Sequence, residues 1–179
     1  MSIAVAPTLD IPVVVTERLR LRGHRIEDFA ACSDIWGDPE VVRYIMGKPL
    51  SPEDVWARIL RYVGHWALLG YGFWAVEEKA TGQMIGDLGM AEFKRDVIRG
   101  FDGVPELGWV LASRAQGKGY ATEAVRAAVA WGQANLGTSR MVCLIHPDNV
   151  ASIRVAEKCG FREIERIQYK DQPTVFFEH

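Results

Sequence analysis

The stretch from Glu106 to Asn135 constrains the fold more than any other. Glu106-Leu107-Gly108-Trp109-Val110-Leu111 has the composition of a strand, Arg114-Ala115-Gln116-Gly117-Lys118-Gly119 is a glycine loop, and a helical period runs from Tyr120 to about Asn135. The apolar positions of that helix, Ala121, Ala124, Val125, Ala128, Val129 and Gly132, are nearly all small. So narrow a face buries itself best against a sheet that it can approach closely. Gly108 inside the strand marks a bulge or a point of close approach.

The loop between strand and helix also carries a chemical expectation. The first turn of a helix leaves backbone N–H groups without partners, and its dipole puts partial positive charge there. Gly117 and Gly119 let these amides converge, and Arg114 and Lys118 add charge, so a diphosphate would suit the loop. Two other nucleotide patterns fit less well. A dinucleotide fingerprint needs a third glycine or alanine where Thr122 stands, and an acidic end to the next strand, which here reads Ile145-His146-Pro147. A P-loop needs Ser or Thr after its lysine, and Gly119 follows Lys118. On spacing alone, a phosphate nest and a plain glycine turn at a helix start both remain open.

Composition narrows the setting. The chain has 179 residues, 21 Lys and Arg against 23 Asp and Glu, and 49% hydrophobic residues. A chain of this length supports one core without staples, and a net charge of −2 gives no global electrostatic case for nucleic acid or an anionic membrane. Cys32, Cys143 and Cys159 are scattered without a CxxC or Cys/His cluster, so buried thiols are expected rather than a metal site. Residues 1–12 read as a loose leader without a secretory pattern. No apolar run approaches the roughly 20 residues of a membrane span. A cytoplasmic protein with one domain over residues 13–179 is expected.

The remaining elements follow from periodicity and caps. Glu17-Arg18-Leu19-Arg20-Leu21-Arg22 alternates as a half-buried strand with one basic face. Ile26, Phe29, Ala30 and Ser33 share a helical face that ends near Trp36 and Gly37. Asp38-Pro39-Glu40 opens a short turn through Tyr44. Ser51, Pro52 and Asp54 start a helix with Val55, Ile59, Val63 and Trp66 inward, stopped near Leu69 by Gly70. Phe73–Val76 and Met84–Met90 form a hairpin around Thr81-Gly82. Lys94–Pro105 reads as a charged loop, Met141–Ile145 as a central strand, and Ser152–Ala156 as a short helix closed by Gly160. Phe161–Tyr169 and Thr174–Phe177 are the last strands. The expected class is α+β, or mixed α/β, on a single sheet.

The chain resembles the Gcn5-related N-acetyltransferase superfamily, in particular its RimJ/RimL-like branch. The likeness is carried by Arg114-Ala115-Gln116-Gly117-Lys118-Gly119 with Tyr120-Ala121-Thr122-Glu123-Ala124 behind it. Thr16–Arg22, Asn149-Val150-Ala151-Ser152 and Glu157-Lys158-Cys159-Gly160-Phe161 add to it, in order from about residue 16 to 177. The resemblance implies a mostly antiparallel sheet splayed between its fourth and fifth strands, flanked by helices, with acetyl-CoA in the cleft. Trp109, Val110 and Leu111 would contact the pantetheine arm. The amides of Gln116, Gly117, Lys118, Gly119, Tyr120 and Ala121 would hold the diphosphate, beside Arg114 and Thr122. It also implies a primary-amine acceptor (a protein N-terminus or a small amine) and allows a homodimer.

Direct transfer needs a base for the ammonium, a donor to the oxyanion and a proton for the leaving thiolate. Glu106 is the expected base, the alternative being a strand-end charge paired with an arginine. An N–H near Val110 would meet the oxyanion. Many superfamily members carry a tyrosine where Ala156 stands. The resemblance to the RimJ/RimL-like branch implies a serine in this helix instead, which Ser152 matches. This assigns Ser152 to the thiolate end, the alternative being an early-helix serine bonding backbone. Asn149 would bond the pantetheine arm or cap its helix. His146 ranks below Glu106 as base. Asp87 and Glu92 are weaker candidates for binding the amine, read in preference as surface charges. A non-catalytic acyl-CoA-binding module of the same fold is the alternative function.

Overall fold

A computed structural model describes residues 9–95 and 101–179, so five positions of the predicted Lys94–Pro105 loop lie outside the described residues. In chain order the elements are β1 (Val14–Val15), β2 (Leu19–Arg22), α1 (Phe29–Gly37), α2 (Pro39–Val42), α3 (Pro52–Leu69), β3 (Phe73–Glu78), β4 (Met84–Ala91), β5 (Glu106–Leu111), α4 (Tyr120–Asn135), β6 (Val142–Ile145), α5 (Val150–Lys158), β7 (Arg162–Tyr169) and β8 (Gln172–Glu178). One eight-stranded sheet runs β1-β2-β3-β4-β5-β6-β8-β7. Every neighbouring pair is antiparallel except β5 and β6. The two-residue β1 raises the count by one, so the expected splay between the fourth and fifth strands falls between β5 and β6.

That splay is visible in the pairing. On one edge β5 pairs with β4 through six positions, from Ala91↔Glu106 to Gly86↔Leu111. On the other it pairs with β6 only at Glu106↔Val142, beside a bond from the Val142 N–H to the Pro105 carbonyl (3.0 Å). From Gly108 onward the strands have no registered partner across the gap. The gap is therefore closed at the start of β5 and open at its end.

Local chemistry accounts for the helices. Ser51 accepts the Asp54 N–H at the start of α3, and Gly70 ends it at φ 73°, a left-handed cap that suits glycine. Asp38 caps α2 by accepting from the Glu40 N–H. In α4, Ala124, Val125, Ala128, Val129 and Gly132 are buried, and a Cβ at Gly132 would lie 2.3 Å from the Met141 Cε. The small-residue face thus permits the close approach that the sequence demanded.

Three expectations need correction. The helical face of α1 is rotated, because its buried residues are Cys32, Ile35 and Trp36 while Ile26 is 75% exposed. In α3 the fully buried residue on the third turn is Tyr62, not Val63. The basic face of β2 is not solvent-facing throughout. Arg22 is buried and donates to Asp28 (2.8 Å) and Glu77 (2.7 Å), Arg20 donates to Glu77, and Arg18 to Glu123. Arg22 and Arg20 together balance Asp28 and Glu77, which is what burial of charge requires. The end of the leader lies on the body: Ile11 packs against the core, and the Pro12 carbonyl accepts from Trp74 Nε1 (2.8 Å).

Candidate active site

At the open end of the gap, β5 runs through the one-turn helix Ser113–Ala115 into the glycine loop. Gly117 (φ 74°) and Gly119 (φ 80°) are both left-handed, which makes them the residues the turn requires. No backbone bond outside the helices uses the amides of residues 117–122 among the described residues. Gln116–Gly119 are exposed. The nest is thus a set of unpaired main-chain donors at the start of a 16-residue helix, open to solvent.

The side chains around the loop serve it differently from expectation. Arg114 Nη2 donates to the Met84 carbonyl (3.1 Å) and ties the loop to β4. Gln116 Nε2 donates to the Leu111 carbonyl (3.2 Å). An arginine that sequence reasoning left out, Arg18, braces the loop from β2. Its Nη1 donates to the Lys118 carbonyl (2.9 Å) and its Nε to Glu123 (2.7 Å), and its guanidinium lies 4.5 Å from the Tyr120 ring centroid. The Tyr120 hydroxyl in turn donates to Glu78 (2.6 Å). The strict alternation of Glu17–Arg22 is the sequence signal for this, and it does not name the partner.

Trp109 is half-buried, and Val110 and Leu111 are buried in β5. Across from Val110 on β4 stands Asp87, which is a correction: it is fully buried, not a surface charge. His24 Nε2 and Trp36 Nε1 each approach it at 2.6 Å, and His24 Nδ1 is buried without a partner among the described residues. Cys32 joins His24 and Asp87 with potential ligand atoms within 4.8 Å of one another, yet both Asp87 oxygens are committed to their nitrogen partners. Burial pushes the Cys32, Cys143 and Cys159 thiols up, so each favours the neutral packing form over the nucleophile.

Glu106 sits at the closed end. Arg95 Nε donates to its Oε2 (2.7 Å) and Nη2 to its Oε1 (3.1 Å), while Nη1 reaches the Tyr169 hydroxyl (2.7 Å). The carboxylate is paired with an arginine but only 15% exposed. Burial raises the Glu106 carboxyl above the ordinary carboxylate range, and the Arg95 bonds and charge pull it partly back. Arg95 lies in the predicted charged loop, and nothing in the sequence linked it to Glu106. Glu92 pairs with Lys94.

Beyond the end of β6, Asn149 caps α5 by accepting from the Ser152 N–H (3.2 Å). The adjoining turn is closed by a bond from the Asp148 N–H to His146 Nδ1 (3.2 Å), and the His146 ring stacks on Tyr44 at 5.4 Å. Ala156 is fully buried, Arg154 and Lys158 are exposed, and the Thr122 carbonyl accepts from the Cys159 thiol. Because β5 and β6 are parallel, α5 begins at the open end. The topology therefore places Ser152 and Asn149 at the same end of the gap as the glycine loop, and Glu106 at the other end of β5.

Comparison with known proteins agrees with this geometry. Residues 18–162 match the acetyltransferase (GNAT) domain family. YkkB of Bacillus subtilis (strain 168), described as uncharacterized, is 33% identical over 172 residues, covering 92% of this chain and 94% of its own. A putative GNAT-family acetyltransferase from Bordetella pertussis has a similar structure (TM-score 0.82, 28% identity, 94% of this chain and 99% of that one). The aminoglycoside acetyltransferase AAC(6')-Ib, solved with coenzyme A, shares the fold (TM-score 0.74, 22% identity, 90% and 94% covered). A sheet opened beside one strand, an exposed amide nest at the end of that strand and a family match over most of the chain converge: the chain belongs to the GNAT acetyltransferase family.

Proposed function

We propose that the chain is an acetyl-CoA-dependent N-acetyltransferase that moves acetyl to a primary amine by direct attack in a ternary complex. The β5–β6 gap, paired at one position and ending on unpaired loop amides, carries this proposal. The diphosphate would lie on the amides of Gln116–Ala121, beside Thr122, and the pantetheine arm along Trp109–Leu111. A β5 amide near Val110 would donate to the oxyanion; such a donor is worth roughly 3–4 kcal/mol elsewhere. Glu106 would take the ammonium proton, its raised pKa bringing it nearer to the amine it must deprotonate. Ser152 and Asn149, at the open end, would serve the sulfur and the arm. The coenzyme-bound aminoglycoside relative supports a small-amine acceptor, and the RimJ/RimL-like motifs support a protein N-terminus; a cytoplasmic site of action accords with both.

The Arg95 clamp on both Glu106 oxygens favours a second reading, an acyl-CoA-binding module without turnover. Calorimetry with coenzyme A and a thiol-release screen with acetyl-CoA against peptides, amino acids, polyamines and aminoglycosides decide between them. Binding with thiol release is the expected result. Binding without release from any amine supports the module, and no binding by folded protein removes both.

A further inference from the structure

The closed end of the gap holds an ion pair that includes Glu106, the base proposed above. Arg95 spends three of its five N–H groups on Glu106 and Tyr169, and the other two have no partner among the described residues. Its guanidinium packs over Phe93 (4.6 Å) and Tyr169 (5.0 Å) and its side chain is 26% exposed. Arg95 and Glu106 both line a cavity of about 40 Å³, walled also by Phe93, Phe101, Leu144 and Phe176, with room for a few waters or one small polar group.

Glu106 can take a proton from an ammonium within hydrogen-bond reach, directly or through one water, and Arg95 already bonds both of its oxygens. An amine carrying positive charge alone would set a second cation beside Arg95 against a single carboxylate in a mostly dry site. A zwitterion avoids this. Its ammonium goes to Glu106 while its carboxylate takes the Arg95 fork, so one ion pair becomes two and no charge stands alone.

We infer that the acceptor is a small amine that also bears a carboxylate, and that Arg95 is the residue that binds that carboxylate. This rests on the acetyl-CoA reading of the gap and on Glu106 as base. The ammonium loses two protons in all. One passes to Glu106 and then to solvent, and the other goes to the departing sulfur. The nitrogen lone pair forms the N–C bond, the C–S pair leaves on sulfur, and the coenzyme departs as its thiol. The carboxylate stays unreacted on Arg95. Free amino acids share this chemistry with peptides whose first residue is Asp or Glu, so both are assayed.

The experiment measures thiol release by the full chain with matched acceptors, rates being compared per free amine: amino acids against their carboxamides, peptides starting with Glu against those starting with Gln, and spermidine and an aminoglycoside. The carboxylate member of at least one matched set should have kcat/KM at least tenfold higher. Arg95→Gln should abolish that preference, chiefly through KM, without changing coenzyme A affinity, and Arg95→Lys, which keeps the charge and loses the fork, should retain part of it. Equal rates within every pair, spermidine or the aminoglycoside as best acceptor, or an unaltered preference in both variants would overturn the inference and leave the acetyltransferase assignment standing. Coenzyme A binding with no release from any amine would overturn both.

Discussion

The two ends of the β5–β6 gap are built from different materials. The open end is main chain: two left-handed glycines and a helix start, exposed, with side chains such as Arg18, Arg114 and Gln116 acting as braces. The closed end is side chain: a mostly buried carboxylate gripped by an arginine from the segment that leads into β5 and backed by a tyrosine from β7. A main-chain site binds by shape and tolerates side-chain change, whereas a buried ion pair depends on each partner. Coenzyme affinity should therefore follow the open end and turnover the closed end.

The sharpest test of that division is Glu106→Gln. Turnover should fall by about 10² or more, with coenzyme A affinity unchanged by calorimetry; a variant that turns over normally would remove Glu106 from the chemistry. Gly119→Ala probes the opposite end. An alanine at φ 80° costs roughly 1–2 kcal/mol, so coenzyme A should bind about tenfold more weakly while kcat at saturating acetyl-CoA stays near wild type. Loss of kcat instead would mean that the two ends are coupled.

A pH profile sharpens the closed end further. Only deprotonated Glu106 can act as base, and its pKa is raised by burial. The acidic limb of kcat/KM should therefore lie above the ordinary carboxylate range, with activity lost as pH falls through it. Removing the Arg95 cation takes away the influence that lowers this pKa, so in Arg95→Gln the limb should move to higher pH. A limb that stays put would detach the profile from Glu106. The smallest effect is expected from Ser152→Ala, a few-fold decrease in kcat, because water can substitute as proton donor; an unaltered rate would leave Ser152 only its place in the first turn of α5.

Legibility in the sequence followed the same division. The glycine loop, the start of α4 at Tyr120 and the caps at Asp38 and Ser51 were all readable, because each is set by residues within a few positions of one another. The α1 face is not legible from spacing because Ile26 lies before the helix, in the one-turn segment Ile26–Asp28. Asp87 reads as a surface charge in the sequence because its two partners, His24 and Trp36, are 63 and 51 residues away.

Glycine placement, small-residue periodicity and caps act through local backbone geometry, so the chain alone determined the strand–loop–helix unit, the order of elements and the position of the amide nest. The identity of each buried charge's partner was decided only by tertiary structure. Arg95 with Glu106, and Arg22 with Asp28 and Glu77, answer a demand that arises only on burial, when a charge that water had solvated must find its opposite in whatever the fold brings near.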